Sequence, residues 1–314
     1  PAEGPEARQQ RTLVAELVGR EHEFSHIIDT WEEACRRRGR HVHVTSAAGL
    51  GKTRLLNDVH RRLRATGART IYLRANPGSR YREWFTFDDS KLGYRSYFGV
   101  RTMPEVNVAN REARDWLIDA ARYWLREFGV DGFRLDHANG PGPEFWTDFW
   151  TACKAESPGS FCFGEVVDAA TVQLPYQGRL DGLLDFGTAD GIRRTYALGT
   201  WTEDHLHRFL DRHRRFFPAS FVMPTFIDNH DMDRFLFLAG GDEDALKRAA
   251  ALQMRLPGPP IVYYGTEAGL SQEISIRAGH GMHINRVPMI WGNEQDGDLL
   301  EYYQELIRGR RQRA

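Results

Sequence analysis

Two hydrophobic periodicities alternate along the last three-quarters of this chain. Short continuous apolar runs read as buried strands, and the stretches between them carry apolar residues at helical spacing. The clearest helix follows the cap residue Asn110, presents Ala113, Trp116, Leu117, Ala120, Ala121, Trp124 and Phe128 on one face, and closes at Gly129. Strands are expected to end at Asp136 and Glu165 and to cover residues 180–186, 221–227 and 260–264. Helices are expected around residues 144–155, 203–216, 243–254 and 299–308. Such alternation argues for parallel βα units. The front of the chain is patterned differently. A charged surface helix is expected over residues 21–37, a β-branched strand over 41–46, and a small-residue turn over 47–51. A helix over 52–65 follows, with Leu55, Leu56, Val59 and Leu63 apolar and Gly67 ending it, then a strand over 70–74. That is a βαβ unit.

Composition narrows the class without naming the chemistry. The chain of 314 residues is 41% hydrophobic and 27% charged, which suits a soluble globular protein of one large or two ordinary domains. A net charge of −1 gives no reason to expect nucleic acid or an anionic membrane as partner. No apolar stretch has transmembrane length, and residues 1–11 lack the apolar centre of a signal peptide. The expected location is therefore cytoplasmic. Cys35, Cys153 and Cys162 have no metal-type spacing and read as free thiols, and no metal ligand set is assigned.

Gly49-Leu50-Gly51-Lys52-Thr53 joins the early strand to its helix. Glycines there would let backbone N–H groups approach a phosphate, Lys52 would supply charge and Thr53 would sit on Mg²⁺. With Leu17-Val18-Gly19-Arg20 upstream, the segment resembles the opening of AAA/STAND-type P-loop ATPases. The resemblance implies an ATP and magnesium site at Gly49, Gly51, Lys52 and Thr53. It departs from the pattern at Ser46, where the first glycine is expected, and no downstream Walker B strand stands out.

Charge in the later part gathers at the C-terminal ends of the strands, where a parallel barrel carries its chemistry. The stretches are Gly132-Phe133-Arg134-Leu135-Asp136-His137-Ala138, Phe163-Gly164-Glu165-Val166 and Phe226-Ile227-Asp228-Asn229-His230-Asp231. Gly258-Pro259-Pro260-Ile261-Val262-Tyr263-Tyr264-Gly265-Thr266-Glu267 and Arg286-Val287-Pro288-Met289-Ile290-Trp291 follow in order. Together they resemble the α-amylase family of glycoside hydrolases from about residue 81 onward. The resemblance implies that Asp136 is the nucleophile, Glu165 the acid/base and Asp231 the third catalytic carboxylate. It also implies that Arg134 orients Asp136 and that His230 holds sugar hydroxyls. His137 would contact sugar or loop backbone, and Asp228 and Asp233 read as network or surface charges. The implied partner is an α-glucan or oligosaccharide, with no cofactor needed for the glycoside chemistry. Calcium and oligomeric state stay unassigned.

The front departs from that family. Its first three barrel strands and first motif have no counterpart, which implies weakened activity. The expected fold is thus α/β: an incomplete (β/α)8 TIM-type barrel holding native strands 4 to 8, behind a P-loop-like βαβ unit. The expected divisions are a disordered lead-in over 1–16, the βαβ fragment over 17–80 and the barrel segment over 81–314. The strand over 70–74 is expected to dock beside residues 133–135 and complete part of the barrel, since open sheet edges are costly. Three readings stand at this point: a retaining glycosidase or transglycosylase, an ATP-binding regulatory module, and a non-catalytic fusion fragment.

Overall fold

The computed structural model describes residues 20–36, 52–68, 81–279 and 282–313, without the side chains of 52–54 and 282. The chain divides into two compact units, Pro1–Glu105 and Val106–Ala314.

In the first unit, α1 (Glu21–Arg36) and α2 (Lys52–Ala65) pack through Leu55, Val59 and Leu63 of α2 against Phe24, Ile27 and Ile28 of α1. So α1 is not only the charged surface helix expected from its polar residues. Its apolar positions, spaced three and four apart, cover the face of α2. Leu56, expected on that face, is largely exposed. The Gly67 N–H reaches the Arg64 carbonyl, and its φ of 82° ends the helix in a left-handed turn. The strands expected over 41–46 and 70–74, and their docking beside 133–135, lie outside the described residues.

The second unit is built on a partial parallel sheet. The helix α3 (Arg111–Phe128) starts as expected, with the Asn110 side chain accepting from the Ala113 N–H, and stops at left-handed Gly129. Its buried face is shifted from the expected one: Ala113, Ala121 and Leu125 are inside, while Trp124 and Phe128 are 48% and 45% exposed, with their rings tilted against each other at 4.6 Å. The inner face is set by α4 (Pro143–Glu156), against which α3 packs, with Arg114 and Arg122 of α3 paired to Asp148 and Glu156. Strands β1 (Gly132–Leu135), β2 (Phe161–Gly164) and β3 (Gly182–Leu183) pair in parallel in that order.

Beyond β3 the expected long strands are reduced to single parallel bridges, Gly182 with Val222 and Thr225 with Pro260. Backbone bonds still carry the parallel run onward, from Leu183 N to Val222 O, Asp185 N to Pro224 O and Ile261 N to Thr225 O. Pro224, Pro259 and Pro260 have no N–H to give, so a continuous ladder cannot form there. At Gly182 the two backbones nearly touch, and an added Cβ would lie 1.8 Å from the Val222 carbonyl oxygen.

Short helices α5 (Ala170–Gln173) and α6 (Phe186–Ile192), then α7 (Glu203–Phe216), α8 (Phe235–Leu238), α9 (Glu243–Arg255) and α10 (Gly297–Arg311) complete the unit. One core lies where Leu125, Phe145, Phe149, Cys153 and Cys162 meet Leu183. A second gathers Ile192, Leu206, Leu246, Met254, Leu299 and Tyr303. Asp136 and Glu165 directly follow β1 and β2.

Candidate active site

Both β1 and β2 end at residues that face one another. After Leu135 the chain continues into Asp136 and His137, and after Gly164 into Glu165; the Glu165 N–H donates to Leu135 O at 2.8 Å and the Ala138 N–H to Glu165 O at 2.9 Å. Parallel pairing therefore runs past the strand ends and brings the two carboxyl groups to the same level.

Arg134 joins them. Its Nη1 bonds Asp136 Oδ1, and its Nη2 lies 2.8 Å from Glu165 Oε1. One planar guanidinium thus touches both acids, a geometry a lysine cannot reproduce. Their surroundings differ, because the Glu165 side chain is 11% exposed and that of Asp136 is 75% exposed. Partial burial pushes the Asp136 carboxyl up. The Arg134 hydrogen bond and charge, a hydrogen bond shared with Glu165 and the charge of His230 outweigh it and hold Asp136 below the usual carboxylate range.

His137 takes a φ of 43°, in the left-handed region. That turn aims its N–H at Glu165 Oε2, 3.3 Å away, while its ring lies over Gly140. The loop behind it is fixed by Trp146, whose buried indole donates to Ala138 O at 2.6 Å.

The third acidic segment supplies His230 and Asp231. His230 Nε2 lies 3.1 Å from Asp231 Oδ2, and Arg286 donates to Asp231 Oδ1 at 2.8 Å. The charge of His230 is among the influences that lower the Asp136 carboxyl, which links this loop to Asp136. Asp228 is fully buried, accepting from the Phe235 N–H and the Thr266 hydroxyl, so it belongs to the supporting network. Asp233 likewise accepts from Gln272, Ser275 and the Ile276 N–H.

The other candidate site falls largely outside the described residues. Gly49 and Gly51 lie outside the described residues; Lys52 and Thr53 open α2, and their side chains lie outside the description. Among the described residues no group of three or more histidine, cysteine or acidic side chains is placed to hold a metal ion. Cys153 and Cys162 are buried free thiols, and Cys35 is exposed.

Comparison with known proteins decides what this arrangement belongs to. The family model described as "Alpha amylase, catalytic domain" matches residues 74–304. The chain belongs to the α-amylase family. A second family model, "AAA ATPase domain", matches residues 16–89, which supports a fusion of two unlike pieces. Alpha-amylase 2 of Dictyoglomus thermophilum is 37% identical over 236 residues, covering 74% of this chain and 42% of that protein. Neopullulanase 2 of Thermoactinomyces vulgaris is 34% identical over 249 residues, covering 75% of this chain and 40% of its own. Among solved structures, a cyclomaltodextrinase superposes with a TM-score of 0.68 at 29% identity, over 74% of this chain and 40% of that one. The cyclic α-maltosyl-(1→6)-maltose hydrolase of Arthrobacter globiformis, in complex with maltose, gives 0.67 at 28% identity, over 82% and 63%. The chain spans about two-fifths of the length of these curated relatives.

Arg286 and Asn285 were not among the expected site residues of this α-amylase family member. The segment that begins at Arg286 was recognisable, but no local pattern joins it to a loop more than fifty residues earlier.

Proposed function

We propose that this chain acts as a retaining glycoside hydrolase or transglycosylase on α-glucosidic bonds. The observation that carries the reading is the single Arg134 guanidinium bonded to both Asp136 and Glu165. Retaining enzymes need two carboxyl groups roughly 5–5.5 Å apart, one ionised and one able to deliver a proton. Asp136, held ionised, attacks the anomeric carbon as Glu165 protonates the departing glycosidic oxygen and that bond breaks. Glu165 then takes a proton from water or an acceptor hydroxyl, whose oxygen displaces Asp136 and restores the configuration. Asp231 and His230 hold sugar hydroxyls across the cleft. The relatives named alpha-amylase, neopullulanase and cyclomaltodextrinase support an oligomeric α-glucoside as substrate. One relative is the intracellular maltogenic amylase of Bacillus subtilis, 30% identical, which supports a cytoplasmic setting; no described helix is long and apolar enough to cross a membrane.

Release of p-nitrophenol from an α-glucoside by the purified chain, beside Asp136→Asn, tests this. A fall of several orders of magnitude supports the reading; equal rates overturn it and favour a non-catalytic fragment.

The match of residues 16–89 to an ATPase domain favours a second reading, nucleotide binding at Gly49, Gly51, Lys52 and Thr53. Thermal stabilisation by Mg-ATP that Lys52→Ala abolishes would support it, and identical melting with and without nucleotide would overturn it.

A further inference from the structure

Four consecutive residues, 229 to 232, are gripped by one dipeptide from a distant part of the chain. The Asn285 side-chain amide donates to Asn229 O at 3.1 Å and to Met232 O at 2.6 Å. Arg286 Nε donates to His230 O at 3.1 Å and its Nη2 to Asp231 Oδ1 at 2.8 Å. Asn285 thus holds the two carbonyls flanking His230 and Asp231, while Arg286 holds the carbonyl and carboxylate between them. Within the loop, the Asn229 side chain accepts from the Asp231 N–H at 2.8 Å, so whatever fixes Asn229 also fixes the start of the Asp231 turn.

Asn285 is itself anchored from below. It is 0% exposed, and its backbone carbonyl accepts from Arg234 Nε at 3.0 Å and from the Tyr263 hydroxyl at 3.4 Å. Arg234 is also fully buried, lies over the rings of Tyr263 and Tyr264, and donates to Tyr264 O at 2.9 Å. The Arg234 N–H donates to Gln272, whose amide donates to Asp233. The Asp231 loop, the segment at Tyr263 and Tyr264, and the 3₁₀ turn Met282–Asn285 are therefore one hydrogen-bonded block.

We propose that Asn285 is a positioning residue for Asp231, with Arg286 completing the grip from the solvent side. This rests on the glycosidase reading above. Asn285 touches no reacting atom. It acts by keeping the loop carbonyls pointed inward, so that the Asp231 carboxylate is presented at a set height toward the Asp136–Glu165 pair. Misplacing a group by about 1 Å can cost on the order of 10²-fold in rate even when the change lies away from the chemistry.

The test measures kcat and KM of wild type, Asn285→Ala, Asp231→Asn and the double variant on maltotriose. Hydrogen exchange of residues 228–235 is followed in parallel. Asn285→Ala is expected to lower kcat by on the order of 10²-fold with KM changed far less, and to speed loop exchange. In the Asp231→Asn background the same substitution should change kcat by less than about threefold, because groups acting as a unit are not additive. Leu246→Ala, a core truncation elsewhere, is the comparison: a merely structural weakening lowers melting temperature without this coupling. Arg286→Ala, at a partly exposed side chain, gives the second variant should Asn285→Ala fail to fold, with the same coupling expected. Unchanged loop exchange, or an undiminished fall in the Asp231→Asn background, overturns the proposal while leaving an active glycosidase. Equal rates for wild type and Asp136→Asn would instead sink the glycosidase reading, and the positioning role of Asn285 with it.

Discussion

Replacing Arg134 by lysine separates catalysis from stability at a single position. The guanidinium holds Asp136 through Nη1 and Glu165 through Nη2, whereas one ammonium on a flexible stem can serve only one of them. Losing one preorganised donor at a site of changing charge costs on the order of 10²–10³ in kcat, or about 2.7–4 kcal/mol of barrier. The effect on folding should be far smaller. The lysine is expected to keep the buried Glu165 and release Asp136, whose side chain is 75% exposed, so solvent screens the lost pair and such pairs contribute only about 0–1 kcal/mol. For a unit of this size, 1 kcal/mol moves the melting temperature by roughly 2–4 °C. The pH profile adds a signed readout. Arg134 holds the Asp136 carboxyl below the usual range, so weakening that contact raises its pKa. The ionised nucleophile is then lost at a higher pH, and the acidic limb of kcat/KM moves upward. The assay is α-glucoside hydrolysis across the pH range beside a thermal melt. An active wild type, a Lys variant within threefold of it and an unmoved acidic limb would refute the reasoning.

Other substitutions probe the frame beneath the site. Gly182→Ala places a Cβ 1.8 Å from the Val222 carbonyl, and the expected loss exceeds about 3 kcal/mol, read as insoluble or non-cooperatively melting protein. Trp146→Phe removes the bond to Ala138 O behind the His137 turn and should cost about 1–2 kcal/mol, seen in denaturant titration. Asp228→Asn tests a buried acid whose pKa burial pushes up, against hydrogen bonds from Phe235 and Thr266 and the charges of Arg193 and Arg234. A raised carboxyl contributes most below its unfolded pKa and loses that contribution as pH rises through the folded value. The Asn variant's deficit in melting temperature should therefore be largest in acid and shrink as pH climbs; a constant deficit would contradict this.

Much of the site was legible from order along the chain. Asp136 and Glu165 were placed by short apolar runs ending in charge, and the structure puts both at strand ends with Arg134 between them. The helices α2 and α7 occupy the expected residues, because apolar spacing and the capping residue Thr202 act within a few positions. The long strands expected after β3 did not form as ladders. Apolar content there signalled burial, while prolines at 224, 259 and 260 withheld the donors that pairing requires. The exposed Trp124 and Phe128 show the same limit from another side: periodicity finds a face, and only the neighbouring helix decides which part of it is covered.

The sequence by itself determined which segments coil, which extend, and which side chains stand at the strand ends, since those outcomes depend on sterics and spacing inside one segment. Only the tertiary structure decided that Arg134 would bridge to Glu165, that the His137 turn would offer its N–H to the same carboxyl, and that Asn285 and Arg286 would close on residues 229 to 232. Those contacts join segments far apart along the chain. Their geometry follows from how parallel strands and their loops pack, which no local pattern of apolar and polar residues encodes.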